Sequence, residues 1–130
     1  MKGILLVSHS TICYGAKESC EMIVGKQENI ETMSLTEEGV EIFREKLENL
    51  LENMFTKYLE VIILTDIPNA TPFNECYRYK LSHKERNITI LSGMNLAMLI
   101  ELAMFSSLDM DTEDMAAQVV ETGKNSILKL

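Results

Sequence analysis

The segment VIILTDIPNATPFN (residues 61–74) predicts a strand, a turn and a helix start in direct succession. The run Val61 to Thr65 is continuously apolar up to its last residue and lacks polar–apolar alternation, which is typical of a strand buried on both faces of a sheet. Asp66 follows this strand at once. The pair Thr71-Pro72 then predicts a helix with threonine as N-cap and proline at the first helical position.

The rest of the chain continues this alternation of strands and helices. The other predicted strands are Gly3 to Val7, Asn29 to Met33 and Ile88 to Leu91. The other predicted helices are Ile12 to Gly25, an amphipathic helix from Val40 to Tyr58 preceded by a Ser34/Glu37 capping box, Asn95 to Phe105, and Thr112 to Asn125. We therefore expect an α/β fold: an open, doubly wound, mainly parallel sheet of about four strands with helices on both faces. Without linkers or repeats, residues 1–130 are expected to form a single domain.

Composition and charge exclude several classes of protein. The chain is 46% hydrophobic and 25% charged, which is a globular balance and not a disordered one. The net charge of -8 disfavours nucleic-acid binding and anionic membranes, and it would attract a basic protein partner. No apolar run is long enough for membrane insertion and no secretory signal is evident, so we expect a cytoplasmic protein. The three cysteines form no metal-ligand pattern, so reduced thiols and no metal site are expected.

Two titratable side chains follow predicted strands. His9 stands two residues after the first strand and Asp66 directly after the third, at the edge where α/β sheets gather their chemistry. If these strands are neighbours, the carboxylate can accept a hydrogen bond from one ring nitrogen and leave the other as a nucleophile. The alternative is an ordinary loop histidine, with Asp66 a turn residue before Pro68. His83 lies in a charged connector and is interpreted as a solvated loop residue.

The turn after Asp66 is a candidate anion site. Free amides and the positive end of a helix dipole meet at a helix N-terminus. A phosphoryl group on His9 would be held there by the Ala70 and Thr71 amides and the Thr71 hydroxyl. The alternative is a capped helix start without a ligand. No glycine-rich nucleotide motif is present, so no nucleotide cofactor is expected.

Several segments, taken in order, resemble the mannose-family enzyme IIA domains of the bacterial phosphoenolpyruvate:sugar phosphotransferase system. They are ILLVSH (residues 4–9), LTD followed by TPFN (64–66 and 71–74), SGMNLAML (92–99) and ETG (121–123). The resemblance implies that His9 accepts a phosphoryl group from the phosphocarrier protein HPr and passes it to the sugar-specific enzyme IIB, while Asp66 orients the imidazole. It also implies that no cofactor is needed. A homodimer sharing an antiparallel edge strand is implied as well, with Ile127 to Leu130 as the candidate segment.

The sequence departs from the family pattern at glycine positions. Ser10 stands where the family has glycine after the histidine, and Asn69-Ala70-Thr71 replaces Gly-Gly-Ser. Losing these glycines reduces the room for backbone approach to a phosphoryl group, but Ala70 keeps an amide, Thr71 keeps a hydroxyl, and Ser10 becomes a further candidate phosphate ligand. Three alternatives stay open: a regulatory protein-binding module without efficient transfer, the phosphotransfer subunit of a dihydroxyacetone kinase, which a His-Ser pair also resembles, and a flavodoxin-like small-ligand binder.

Overall fold

A computed structural model describes residues 1–130, which form four strands and five helices. The strands are β1 (Gly3–His9), β2 (Ile30–Leu35), β3 (Glu60–Thr65) and β4 (Asn87–Leu91). The helices are α1 (Ile12–Val24), α2 (Val40–Met54), α3 (Thr71–Ser82), α4 (Leu96–Phe105) and α5 (Thr112–Asn125). All strands are parallel, in the order β2-β1-β3-β4, which confirms the predicted α/β fold. None of the helices has both the length and the apolar character needed to cross a lipid bilayer.

The two central strands, β1 and β3, are buried on both faces. Alternate residues enter one core with α1, α4 and α5, and the residues between them enter a second core with α2 and α3. The first set is Ile4, Leu6, Ile62 and Leu64, and the second is Leu5, Val7, Val61 and Ile63. All eight side chains are fully buried. Helices on both faces therefore explain why the sequences of these strands show no polar–apolar alternation.

The N-terminal caps of two helices differ from the predictions, and α2 ends at Met54, before the predicted Tyr58. Helix α2 follows Gly39, whose φ is +100°, while Ser34 of the predicted capping box lies in β2. Helix α3 has Ala70 as its N-cap, and Thr71 is already helical and makes no capping hydrogen bond. The capping-box prediction was wrong because β2 continues to Leu35, where it pairs with His9 of β1. That pairing joins residues far apart in the sequence, so a local capping pattern does not reveal it.

The last four residues form no strand in the single chain. Ile127, Leu128 and Leu130 are among its most exposed apolar side chains. The exchange of an edge strand between subunits stays a prediction.

A close helix contact at Gly123 gives a test of the packing. A Cβ atom at this buried position in α5 would lie 2.7 Å from Met98 Sδ and closer still to Met98 Cγ, whereas Gly15 of α1 faces open space. Overpacking a core costs about 1–3 kcal/mol, while glycine to alanine in an open helix position gains up to about 1 kcal/mol. We expect Gly123→Ala to lower the free energy of unfolding and Gly15→Ala to raise it. Urea unfolding of both variants checks this, and effects of the same sign would contradict the packing.

Candidate functional site

His9 and Asp66 lie together at the carboxyl edge of the sheet because β1 and β3 are neighbours. Val7 is paired with Thr65 in the register, which brings the residues after both strands to the same edge. The His9 Nδ1 atom lies 2.7 Å from Asp66 Oδ2, and the His9 backbone N–H donates to the same oxygen at 3.0 Å. The other carboxylate oxygen, Oδ1, accepts the Ile67 backbone N–H at 3.0 Å. Asp66 thus holds both the backbone and the ring of His9.

The hydrogen bond to Asp66 determines which nitrogen of His9 is free. An ionised carboxylate can only accept, so Nδ1 carries the shared proton and Nε2 keeps its lone pair when the ring is neutral. Nε2 makes no hydrogen bond within the chain. The His9 side chain is 44% exposed, whereas that of Asp66 is 9% exposed. The imidazole is therefore held on its Nδ1 side and accessible as a nucleophile.

Asp66 is ionised because its hydrogen bonds outweigh its burial. Burial alone would raise the pKa of this carboxyl group. The backbone amide of His9, the His9 ring and the Ile67 amide all favour the charged form, and together they bring the pKa of Asp66 below its ordinary value. The carboxylate therefore supplies a fixed negative charge to the imidazole, which gains positive charge when Nε2 bonds to an electrophile.

The backbone on the other side of His9 is also held. The buried Ser8 hydroxyl donates to the His9 carbonyl at 3.0 Å and accepts the Cys13 N–H at 2.8 Å. It thus satisfies an amide in the first turn of α1, where Thr11 makes no side-chain cap. Ser10 has a left-handed backbone, with φ of +47°. Its N–H donates to the Leu35 carbonyl at 2.9 Å.

The predicted phosphate ligands are available to different degrees. Ala70 and Thr71 lie at the start of α3, after Asn69 in a left-handed conformation with φ of +62°. Neither of their amides donates a hydrogen bond within the chain, and the Thr71 hydroxyl is also unpartnered. The Ser10 amide is already used by Leu35, so only its hydroxyl is free for a phosphoryl group.

A cavity of about 390 Å³ opens beside His9 on the side of β2. Its lining residues are His9, Ser10, Thr11, Tyr14, Ser34, Leu35, Thr36 and Glu37. Of the predicted site residues, His9 and Ser10 line this cavity, whereas Ala70 and Thr71 do not. Sequence reasoning missed Ser34, Thr36 and Tyr14 as site residues. The rule that sites form at the carboxyl ends of strands, applied to β2 as well, would have found the first two.

Comparisons with known proteins identify the family. The model of the EIIA-man family, described as the PTS system fructose IIA component, matches residues 3–120. The chain belongs to this family. It is 27% identical over 128 residues to the PTS system mannose-specific EIIAB component of Escherichia coli (strain K12). That match covers 98% of this chain and 39% of that protein, so the chain spans about two-fifths of the length of the curated relatives it matches.

Solved structures agree with this family assignment. The phosphotransferase system component EIIA from Streptococcus agalactiae is 25% identical with a TM-score of 0.87, and the match covers 99% of this chain and 97% of that one. The mannose/sorbose specific IIA subunit from Enterococcus faecalis is 26% identical with a TM-score of 0.87, covering 100% and 96%. The resemblance to mannose-family enzyme IIA is confirmed, and membership in the EIIA-man family implies a component of a sugar phosphotransferase system.

His83 of this EIIA-man chain is packed and not solvated as predicted. Its ring stacks on Tyr79 with centroids 4.0 Å apart, and its Nδ1 donates to the Tyr79 carbonyl at 2.9 Å. Its Nε2 lies 3.6 Å from Glu52 Oε1, which also accepts the Tyr79 hydroxyl at 2.8 Å. The predicted position outside a helix is correct, but the solvated side chain was wrong, because the ring packs on Tyr79 at the end of α3 and beside Glu52 of α2. His83 follows the end of α3 opposite to Thr71, so it is not part of the site.

The lowered pKa of Asp66 predicts that the free energy of unfolding decreases at low pH. Ionised Asp66 stabilises the folded EIIA-man chain, and this contribution is complete above the ordinary pKa of about 4 and is lost as the pH falls through the lower pKa of the folded state. We expect the free energy of unfolding to fall below about pH 4, and to fall less steeply in Asp66→Asn. Urea unfolding across this range tests it, and equal slopes in both proteins would contradict it.

Proposed function

We propose that this chain is a phosphocarrier of a sugar phosphotransferase system, which accepts a phosphoryl group from phospho-HPr on His9 and passes it to a cognate enzyme IIB. The observation that carries the proposal is the 2.7 Å contact between His9 Nδ1 and Asp66 Oδ2, together with a free Nε2 on a partly exposed ring. This arrangement suits a nucleophile whose reactive atom must meet another protein. Membership in the EIIA-man family supports the same role.

The transfer needs only an exchange between two imidazoles. Nε2 of His9 attacks the phosphorus of the donor phosphohistidine in line, the phosphorus–nitrogen bond to the donor breaks, and the phosphorus–Nε2 bond forms. The donor imidazole leaves with the electron pair of the broken bond. Positive charge develops on the His9 ring, and ionised Asp66 stabilises it through the Nδ1 hydrogen bond. Transfer to enzyme IIB is the same step with His9 as the leaving group.

The phosphoryl oxygens have candidate donors on both sides of His9. On the β3 side, the Ala70 and Thr71 amides and the Thr71 hydroxyl have no partners within the chain. On the β2 side, the Ser10 hydroxyl lies at the wall of the cavity that also contains His9. Donors that are already oriented cost little reorganisation when the charged group arrives, so they favour the transition state.

We also propose a homodimer in which residues 127–130 of one protomer pair with the free edge of β4 in its partner. β4 is at the edge of the sheet, and an unpaired strand edge is a template for a further strand. The exposed Ile127, Leu128 and Leu130 suit burial in such a contact. Removing residues 127–130 should convert a dimer to a monomer in sedimentation equilibrium. A full chain that sediments as a monomer at high concentration would contradict this proposal.

Phosphorylation of the purified protein tests the carrier role. The chain is mixed with phosphoenolpyruvate, enzyme I and HPr, and its intact mass is recorded before and after acid treatment. We expect a gain of one phosphoryl group that is lost in acid, and no gain in His9→Ala. Addition of a cognate enzyme IIB should then remove the group from the carrier.

Two outcomes would overturn the assignment. Labelling that survives in His9→Ala would show that another residue accepts the group. No labelling of the wild-type chain by a donor system that phosphorylates a known enzyme IIA would favour the regulatory binding module.

A further inference from the structure

The residue after the proposed nucleophile has an unusual backbone conformation for its type. Ser10 has φ of +47°, a region that glycine enters freely and that a residue with a Cβ atom enters at a cost. It connects the last residue of β1 to the start of α1. Something in the surrounding structure must therefore stabilise this conformation.

The end of β2 supplies that stabilisation through two hydrogen bonds. The Ser10 N–H donates to the Leu35 carbonyl at 2.9 Å, and the Ser34 hydroxyl donates to the Ser10 carbonyl at 2.5 Å. Both peptide groups flanking Ser10 are thus bound to two consecutive residues of one strand. Only the second bond uses a side chain, so the identity of residue 34 decides whether it forms.

We propose that Ser34 is a positioning residue for phosphoryl transfer, because it binds the carbonyl of the peptide between Ser10 and Thr11 and so holds Ser10 in the left-handed conformation, with its hydroxyl beside His9. The inference rests on the proposed function. The His9 amide is bound to Asp66 on the β3 side, and the Ser10 carbonyl is bound to Ser34 on the β2 side. The nucleophile therefore lies between two anchors on opposite neighbours of β1.

Loss of the Ser34 anchor should affect the reaction more than the fold. The Ser34 hydroxyl is at the solvent-exposed end of β2, where water can replace it as a donor to the Ser10 carbonyl. Water does not hold that carbonyl in one direction, so Ser10 can leave its unfavourable conformation. The peptide between Ser10 and Thr11 then turns, and the Ser10 hydroxyl loses its fixed position beside His9 at the cavity.

The experiment compares four variants in single-turnover transfer from phospho-HPr. We expect Ser34→Ala to slow transfer at saturating donor by roughly 10- to 100-fold, since misplacing a group that positions the phosphoryl oxygens by about 1 Å has an effect of that size. The donor concentration at half-maximal rate should stay unchanged. Ser34→Thr keeps the hydroxyl and should restore the rate. Ser107→Ala, an exposed serine in the connection between α4 and α5, is the control for serine removal.

A double variant isolates the coupling between the two serines. Glycine adopts a positive φ without help, so Ser34→Ala should slow transfer by less than about twofold when Ser10→Gly is already present. Equal effects of Ser34→Ala in both backgrounds, or no effect in the wild-type background, would overturn the inference.

A second readout separates this inference from the proposed function. The Cα and Cβ chemical shifts of Ser10 report its backbone conformation whether or not the chain carries phosphate. They should move in Ser34→Ala and stay at the wild-type values in Ser34→Thr. Unchanged shifts in Ser34→Ala reject the Ser34 anchor, whereas a wild-type chain that takes no phosphate rejects the carrier role.

Discussion

Asp66→Asn should slow phosphoryl transfer through His9 by roughly three to four orders of magnitude, as expected when the partner that sets a histidine tautomer is neutralised. The side chain keeps its size, so the change is in charge and in hydrogen-bonding capacity. In the wild-type chain one carboxylate oxygen accepts two N–H groups of His9 and the other accepts the Ile67 amide. The carboxylate is therefore the acceptor in all three hydrogen bonds and the donor in none.

An amide cannot satisfy these three donors in either orientation. If the amide NH2 of the asparagine faces Ile67, it opposes the Ile67 backbone N–H, and both groups are donors. The His9 ring then keeps its tautomer but loses the adjacent negative charge. If the NH2 faces His9, it opposes the backbone N–H and forces the proton from Nδ1 to Nε2, which removes the nucleophilic lone pair. Both arrangements leave the developing imidazolium without its counter-charge.

Rapid-quench transfer from phospho-HPr measures this effect, and nitrogen-15 chemical shifts of the His9 ring report the tautomer. Glu75→Gln is a suitable control, because Glu75 is also a carboxylate with a lowered pKa but is paired with Arg44 between α2 and α3. It should change stability and leave the transfer rate within about twofold of wild type. A transfer rate in Asp66→Asn close to that of wild type would show that Asp66 does not orient the nucleophile.

Leu64→Ala should lower the free energy of unfolding by about 2–5 kcal/mol. Leu64 is fully buried in β3, where it is paired with Leu6 on one side and Leu91 on the other. It packs in the core formed with α1, α4 and α5, so removing its branched end leaves a cavity that both central strands border. The loss combines the missing transfer free energy of the side chain with the cost of that cavity.

Leu59→Ala is the matched control for this prediction. Leu59 lies just before β3 and is 91% exposed, so the same substitution should change the free energy of unfolding by no more than about 0.5 kcal/mol. Guanidinium unfolding of both variants, with similar dependence on denaturant, gives the comparison. Similar losses for the two variants would mean that the burial of β3 is not the source of its stability.

Much of the fold follows from local patterns. The apolar runs of β1 and β3 predicted strands buried on both faces, and the structure has them in the centre of a parallel sheet. The alternation with amphipathic segments predicted helices on both faces, which the structure also has. Such patterns predict strands and helices because hydrophobic periodicity depends only on residues near one another in sequence. The caps of α2 and α3 were predicted incorrectly, since they depend on loop geometry.

Only part of the candidate site could be predicted from the sequence. The sequence indicates that His9 and Asp66 each follow a strand. Their contact also requires β1 and β3 to be neighbours, and the sequence does not predict that adjacency. Their 2.7 Å contact follows from that pairing. His83 has a partner in Glu52 that lies 31 positions earlier in the chain, and no local pattern indicates it.

The order of strands and helices, the burial of the central strands and the two residues that carry the proposed chemistry all follow from the amino-acid sequence alone. By contrast, the position of β2 beside β1, which brings Ser34 to the backbone of Ser10, is evident only from the folded chain. The left-handed backbone conformation of Ser10 is unfavourable for a residue with a Cβ atom. It is stable here because a strand 24 residues away in sequence supplies hydrogen bonds, and such long-range bonds exist only once the sheet has formed.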